Sequence, residues 1–177
     1  MKTGVQLYSL RNYIKDNGLE SALKIIADAG FDGVEFAGFY DKTADEIKSL
    51  LDKYSLTAFS AHIGTEKMQA ELPTALQLGI SNIVVPWKAL DNAAEFDKAV
   101  AELPRIAAEL REQGVALGYH NHAHEFKDGA DKVTELAARV DGLTLEPDVF
   151  WLAVAGVDAC EFIQKHSDKI TLVHIKE

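Results

Sequence analysis

The chain has 177 residues, 47% apolar and 26% charged, enough to bury a substantial core in an ordinary globular fold. Its 28 acidic against 18 basic residues give a formal net charge of −10, which disfavours a nucleic-acid partner because that affinity comes from Lys and Arg neutralising phosphates. A single cysteine, Cys160, excludes an internal disulfide and reads as a small buried apolar residue; with no apolar run near the roughly 20 residues of a membrane span and no signal-peptide core in residues 1–10, a cytoplasmic protein without membrane contact is expected.

Residues 4–10 alternate apolar and polar, as a strand does. Leu19, Ala22, Leu23, Ile26 and Ala27 form a helical stripe over 19–29 that Gly30 ends. The unit then repeats. Residues 33–36 give a short strand, and Thr43 with Glu46 makes a capping box at the start of the next helix. A strand at 56–62 and a helix at 66–78, closed by Gly79, lead to a strand at 82–87 whose continuous apolar centre suits cover on both faces. A long helix over 93–113 ends at Gly114, with Pro104 kinking or dividing it. Strand 115–120, helix 130–139, strand 143–148, helix 158–166 and strand 170–175 complete the series.

Strands alternating with helices imply right-handed crossovers and a parallel sheet, either an open doubly wound sheet or a (β/α)8 barrel. No Gly-x-Gly-x-x-Gly follows the first strand, so the dinucleotide form of the open sheet has no support. Polar residues gather instead where strands end: Gln6, Ser9, Glu35, His62, Trp87, His120, His122, Glu146, Asp148, His174 and Glu177. Such a collection at strand C-termini is the habit of a barrel. The count is about seven strands, which reads as a TIM barrel short of its eighth βα unit. Without Pro- or Ser-rich linkers, residues 1–177 read as a single domain.

The densest chemistry lies in residues 118–126, Gly-Tyr-His-Asn-His-Ala-His-Glu-Phe. In a barrel, His120, Asp148 and His174, each at or near the end of its strand, would converge on one mouth. A mixed imidazole and carboxylate set suits Mn²⁺, Co²⁺, Zn²⁺ or Fe²⁺ better than Ca²⁺, and an open coordination position would polarise a carbonyl or hydroxyl. Each residue also has a simpler reading: His120 as a hydrogen-bonded group in the mouth, and Asp148 with His174 as an ion pair neutralising two strand ends. Glu35 equally suits a hydrogen-bonded brace between strands. His124 reads as solvated, Glu125 and Phe126 as closing the loop, Trp151 as a core aromatic, and His166 as a partner of its helix dipole. The acidic helix faces, Glu102 and Glu109 among them, read as solvated surface.

Several motifs together resemble the sugar phosphate isomerase/epimerase family of the xylose isomerase-like barrels. They are Gly-Val-Gln-Leu-Tyr-Ser-Leu-Arg at the start, Gly-Phe-Asp-Gly-Val-Glu-Phe around Glu35, Ser-Ala-His around His62, and Val-Val-Pro-Trp ending at Trp87. Gly-Tyr-His-Asn-His-x-x-Glu-Phe, Glu-x-Asp-Val-Phe-Trp and Val-His-Ile-Lys-Glu follow in the family's order. The resemblance implies a (β/α)8 barrel holding one divalent ion, Mn²⁺, Co²⁺, Zn²⁺ or Mg²⁺, with Asp148 and His174 as ligands. Position 120, a glutamate ligand in many members, is His here, and the strand that supplies the last glutamate is absent. The family chemistry removes a proton next to a metal-held carbonyl, for which Glu146, Glu35 and His62 are the candidates. Trp87, His122, Lys176 and Glu177, with His62, would contact the hydroxyls of a small sugar substrate. Isomerisation or epimerisation is therefore expected, or a related elimination. The competing readings are a shortened barrel that binds a ligand or associates with another chain, and an endonuclease IV-like repair enzyme, which the charge opposes. An open barrel edge is an association hazard, so either a homodimer covering it or a truncated, poorly stable chain is expected.

Overall fold

The computed structural model describes residues 1–90 and 92–176. The chain forms two compact units, Met1–Ile83 and the stretch from Val84 onward.

In the first unit, β1 (Gly4–Gln6) is shorter than its alternation suggests, because Leu7–Leu10 tightens into a 3-10 turn. α1 (Arg11–Asp28) follows, and Gly18 interrupts it at φ 82° and ψ 161°, a conformation open to glycine. The apolar stripe from Leu19 is thus the second part of a longer, kinked element. β2 (Gly33–Ala37), α2 (Ala44–Tyr54), β3 (Thr57–His62) and α3 (Met68–Gln77) complete the unit. β1, β2 and β3 lie side by side in parallel, with Gln6 opposite Glu35. A register shift between Val34 and Glu35 brings Ser60 opposite Glu35 and His62 opposite Ala37. At Gly33 an added Cβ would stand 2.2 Å from the Thr57 carbonyl and 2.9 Å from the Phe59 ring, so only glycine lets these strands close here.

The capping box of α2 forms as its spacing predicts: the Thr43 hydroxyl accepts from the Glu46 amide at 3.3 Å, and the Glu46 carboxylate accepts from the Thr43 amide at 2.8 Å. Ile47 on the inner face of α2 is fully buried, as are Leu23 of α1 and Phe36 of β2. Ile47→Val is expected to cost about 1 kcal/mol, read as a lower urea midpoint with an unchanged m-value.

β4 (Asn82–Val85) runs across the division between the units. Beyond it, α4 (Ala93–Arg111) continues unbroken through Pro104 and turns Phe96, Leu103, Ile106 and Leu110 inward. β5 (Ala116–His120), α5 (Lys132–Arg139) and β6 (Thr144–Glu146) follow, then α6 (Val149–Val154) and α7 (Ala159–Lys165). β5 and β6 pair in parallel with His120 opposite Glu146.

Among the described residues six strands form, not seven. Residues 170–175 run beside β6 but make only two isolated parallel bridges, Leu145 with Ile170 and Asp148 with His174. The ladder starts with Leu145 donating to the Lys169 carbonyl and accepting from the Thr171 amide. Pro147, which has no N–H, then cannot donate the next bond, and the pairing resumes out of step when its carbonyl accepts from the His174 amide at 2.9 Å. α6 has no counterpart in the sequence pattern; the Asp148 carboxylate caps it by accepting from the Trp151 amide.

Two simpler expectations are also corrected. Cys160 is exposed, not buried, on the short amphipathic α7. His166 is 6% exposed, stacks on Phe162 at 4.6 Å and bonds to the Thr134 hydroxyl at 2.9 Å, so it ties α7 to α5 instead of serving the helix dipole. Glu102 and Glu109 remain on the surface, where they pair with Lys88 and Arg105. Among the described residues no helix is long and apolar enough to cross a membrane.

Candidate functional site

In the second unit the site grows out of the register of β5 and β6. Placing His120 opposite Glu146 sets an imidazole beside a carboxylate, both buried. The bridge from Asp148 to His174 then fixes a second imidazole: the His174 amide donates to the Pro147 carbonyl, and the Val149 amide donates to the His174 carbonyl at 3.1 Å. His120 Nε2 lies 3.3 Å from Asp148 Oδ2, and His174 Nδ1 lies 3.8 Å from the same oxygen. His174 Nε2 faces Glu146 Oε1 at 3.4 Å, so the ring stands between two carboxylates. The Asp148 side chain is only 1% exposed. Burial disfavours its charge, but hydrogen bonds from His120 and His174, the Trp151 amide and the nearby Lys176 ammonium outweigh that and hold its carboxyl well below the usual range.

Asn121 completes this centre, and strand alternation points away from it. β5 ends at His120, so the alternation that would turn Asn121 to the opposite face no longer applies. Its side-chain oxygen accepts from the Asp148 amide at 2.9 Å, and the residue is 1% exposed. The middle member of His-Asn-His therefore positions the carboxylate that its first member faces.

The loop after β5 is organised by Glu125, which is fully buried. It accepts from the Tyr119 hydroxyl at 2.8 Å and the His122 amide at 2.9 Å, and lies 3.3 Å from His124 Nδ1. His124 is not solvated: its Nε2 donates to the Lys88 carbonyl at 2.9 Å, and its ring packs on Trp87 at 5.6 Å. Trp87 itself is 53% exposed, an open aromatic face. His122 lies between the His120 ring at 4.9 Å and the Trp151 ring at 5.4 Å. Burial, then the neighbouring His120 and His124, lower its pKa to about 4, so it is neutral at neutral pH, and its buried Nδ1 has no hydrogen-bond partner among the described residues. Trp151 is half-buried against His122 and Lys176, lining the site instead of the core. Glu177 lies outside the described residues.

In the first unit, the register shift in β2 produces a separate chain of hydrogen bonds. Gln6 Nε2 contacts His62 Nδ1 at 3.0 Å, His62 Nε2 contacts Glu35 Oε1 at 3.1 Å, and the Ser60 hydroxyl donates to Glu35 Oε2 at 2.5 Å. With the Gln6 amide donating, His62 carries its proton on Nε2 and gives it to Glu35. Glu35 thus braces β2 against β3 and can also hold or pass a proton.

The donors His120, Asp148 and His174 all lie within 4.8 Å of one another. Neighbouring ligands of a small divalent ion lie about 3 Å apart for bonds of about 2.1 Å, so separations of 3.3 and 3.8 Å need little adjustment. One carboxylate with two imidazoles is a fitting set for Mn²⁺, Co²⁺ or Zn²⁺. His122, His124 and Glu125 form a second group of donors at this spacing, but Glu125 is already engaged by Tyr119 and the His122 amide.

Residues 23–177 match the family described as xylose isomerase-like TIM barrel. The chain belongs to that family. An inosose dehydratase of Clostridium beijerinckii is 23% identical to this xylose isomerase-like chain over 192 aligned residues, covering 92% of the chain and 64% of the relative's length. The chain thus spans somewhat under two thirds of that enzyme. The crystal structure of a sugar phosphate isomerase/epimerase from Parabacteroides distasonis superposes with a TM-score of 0.83 at 23% identity, covering 99% of this chain and 75% of that one. The probable 3-DHS dehydratase AsbF of Bacillus anthracis superposes with a TM-score of 0.80 at 17% identity, covering 100% of this chain and 73% of that one. These likenesses establish the TIM-barrel fold, and the proteins that share it include isomerases, epimerases and dehydratases.

Proposed function

We propose that this chain carries the metal centre of an enzyme that removes a proton next to the carbonyl of a small keto-sugar or keto-polyol. The observation that carries the reading is the convergence of His120 at the end of β5, Asp148 just after β6 and His174 in the bridged stretch beside it. These three residues would hold a divalent ion, Mn²⁺, Co²⁺, Zn²⁺ or Mg²⁺, which supplies Lewis-acid polarisation of the substrate carbonyl. Glu146 orients the His174 ring from its far side and, as a buried carboxylate, is the base proposed for the proton. His122, neutral and with an unpartnered Nδ1, hydrogen-bonds a substrate hydroxyl, and the open face of Trp87 packs on the apolar face of a sugar ring. In the first unit, Glu35 and His62 form a second acid/base pair able to store a proton along the Gln6, His62, Glu35 and Ser60 chain.

Loss of a proton beside a carbonyl leads to isomerisation or epimerisation when the proton returns, and to dehydration when a neighbouring hydroxyl leaves. The inosose dehydratase relative supports including inososes among the substrates to be tried. The decisive test incubates Mn²⁺- and Co²⁺-loaded protein in D₂O with inososes, ketohexoses and ketose phosphates. Metal-dependent deuterium uptake next to the carbonyl is expected by NMR for at least one of them. A conjugated enone absorbing in the ultraviolet marks dehydration, and a new sugar signal marks isomerisation or epimerisation. Absence of both exchange and product across the panel refutes the proposal.

A further inference from the structure

The Asp148 oxygen that faces both imidazoles also faces a cation belonging to the chain itself. Lys176 Nζ lies 3.5 Å from Asp148 Oδ2, and the same ammonium sits over the ring of Phe150 at 5.1 Å and over that of Trp151 at 4.8 Å. Residues 148, 150 and 151, at the start of α6, thus supply a carboxylate and two aromatic faces, each favourable to positive charge. A seat of this kind answers an electrostatic need. Asp148 is 1% exposed, and a buried carboxylate without a nearby cation is expensive. The Lys176 side chain is 44% exposed on a flexible stem, so its head can leave the carboxylate while the stem stays against the rings.

Resting on the reading of Asp148 as a metal ligand, we propose that Lys176 is a resident counter-cation that competes with the divalent ion for Asp148 Oδ2, so that loading exchanges an ammonium for a metal ion. An ion held by His120, Asp148 and His174 must share that oxygen with the ammonium or repel it at short range. Lys176 therefore lowers the affinity of the centre while keeping Asp148 ionised and in place before the ion arrives. Displaced toward Trp151, the ammonium becomes available to an anionic oxygen of the substrate.

The test is calorimetric Mn²⁺ binding to the full chain at fixed ionic strength, for wild type, Lys176→Met, Lys176→Arg and Asp148→Asn. Lys176→Met is expected to bind Mn²⁺ about tenfold more tightly than wild type. Lys176→Arg, which keeps the charge, is expected to stay near the wild-type value. Added Zn²⁺ is further expected to change tryptophan emission in wild type, as the ammonium shifts over the Trp151 indole, and to leave that component unchanged in Lys176→Met. If Asp148→Asn loses binding while Lys176→Met binds no more tightly than wild type, the exchange is overturned and the metal site stands. If Asp148→Asn binds Mn²⁺ as wild type does, the metal site falls and the exchange with it.

Discussion

Asp148→Asn is expected to lower divalent-ion affinity at least about a hundredfold and to remove metal-dependent turnover with it. The substitution is nearly isosteric, and it separates the two duties of this side chain. Oδ1 caps α6 by accepting from the Trp151 amide at 3.1 Å, which an asparagine oxygen also does. Oδ2 gathers His120, His174 and Lys176, which requires a negative charge. The far-ultraviolet circular dichroism of the variant should therefore match wild type while the metal content of the purified protein falls. Asp158→Asn is the matched control: Asp158 caps α7 in the same way, accepting from the Glu161 amide at 2.9 Å, but lies at no cluster of ligands. Its metal content and turnover are expected to stay at the wild-type level. Equal metal content in Asp148→Asn and wild type, by elemental analysis after dialysis, would remove His120, Asp148 and His174 from the role proposed for them.

The parallel α/β fold was legible because its signals are local. The Thr43 and Glu46 spacing marks the start of α2, and the apolar run at residues 83–85 marks a strand with both faces covered. The ends of elements were less legible, since they depend on single backbone groups. Pro147 breaks the ladder beside β6 by lacking one N–H, so the expected seventh strand becomes two bridges. Asp148 opens α6 within a stretch whose polar residues read as site chemistry alone. In the candidate site, histidine and carboxylate identity pointed to His120, Asp148 and His174, because few other side chains suit a metal. Asn121 and Lys176 act through pairings between elements, with the Asp148 amide and the Asp148 carboxylate, that no periodicity encodes. His124 misled for the same reason: its partners, Lys88 and Trp87, lie more than thirty residues away along the chain.

Glu125→Ala is expected to be the most destabilising single change in the second unit, at about 3–5 kcal/mol. The carboxylate is fully buried and joins three groups: the Tyr119 hydroxyl on β5, the His122 amide in the loop, and the His124 ring, which in turn holds the Lys88 carbonyl. Alanine removes the acceptor of the first two and the anionic partner of the third, and it leaves a cavity as well. Glu125→Gln keeps the shape and one acceptor oxygen, so its cost is expected to be about half as large or less. Urea denaturation separates the two variants, and the thermal midpoint of Glu125→Ala should fall by roughly 10 °C, given the size dependence of midpoint shifts. The loss should also reach the site, because the His122 amide is fixed by this carboxylate and the His122 ring packs against His120. KM for the substrate is therefore expected to rise in Glu125→Gln while its metal content stays at the wild-type level, since Glu125 acts on Tyr119, His122 and His124 and is not among the three proposed ligands. A Glu125→Ala protein within 1 kcal/mol of wild type would show that the loop is held by its apolar residue Phe126 packing on Phe162, at 5.9 Å, and not by the buried charge.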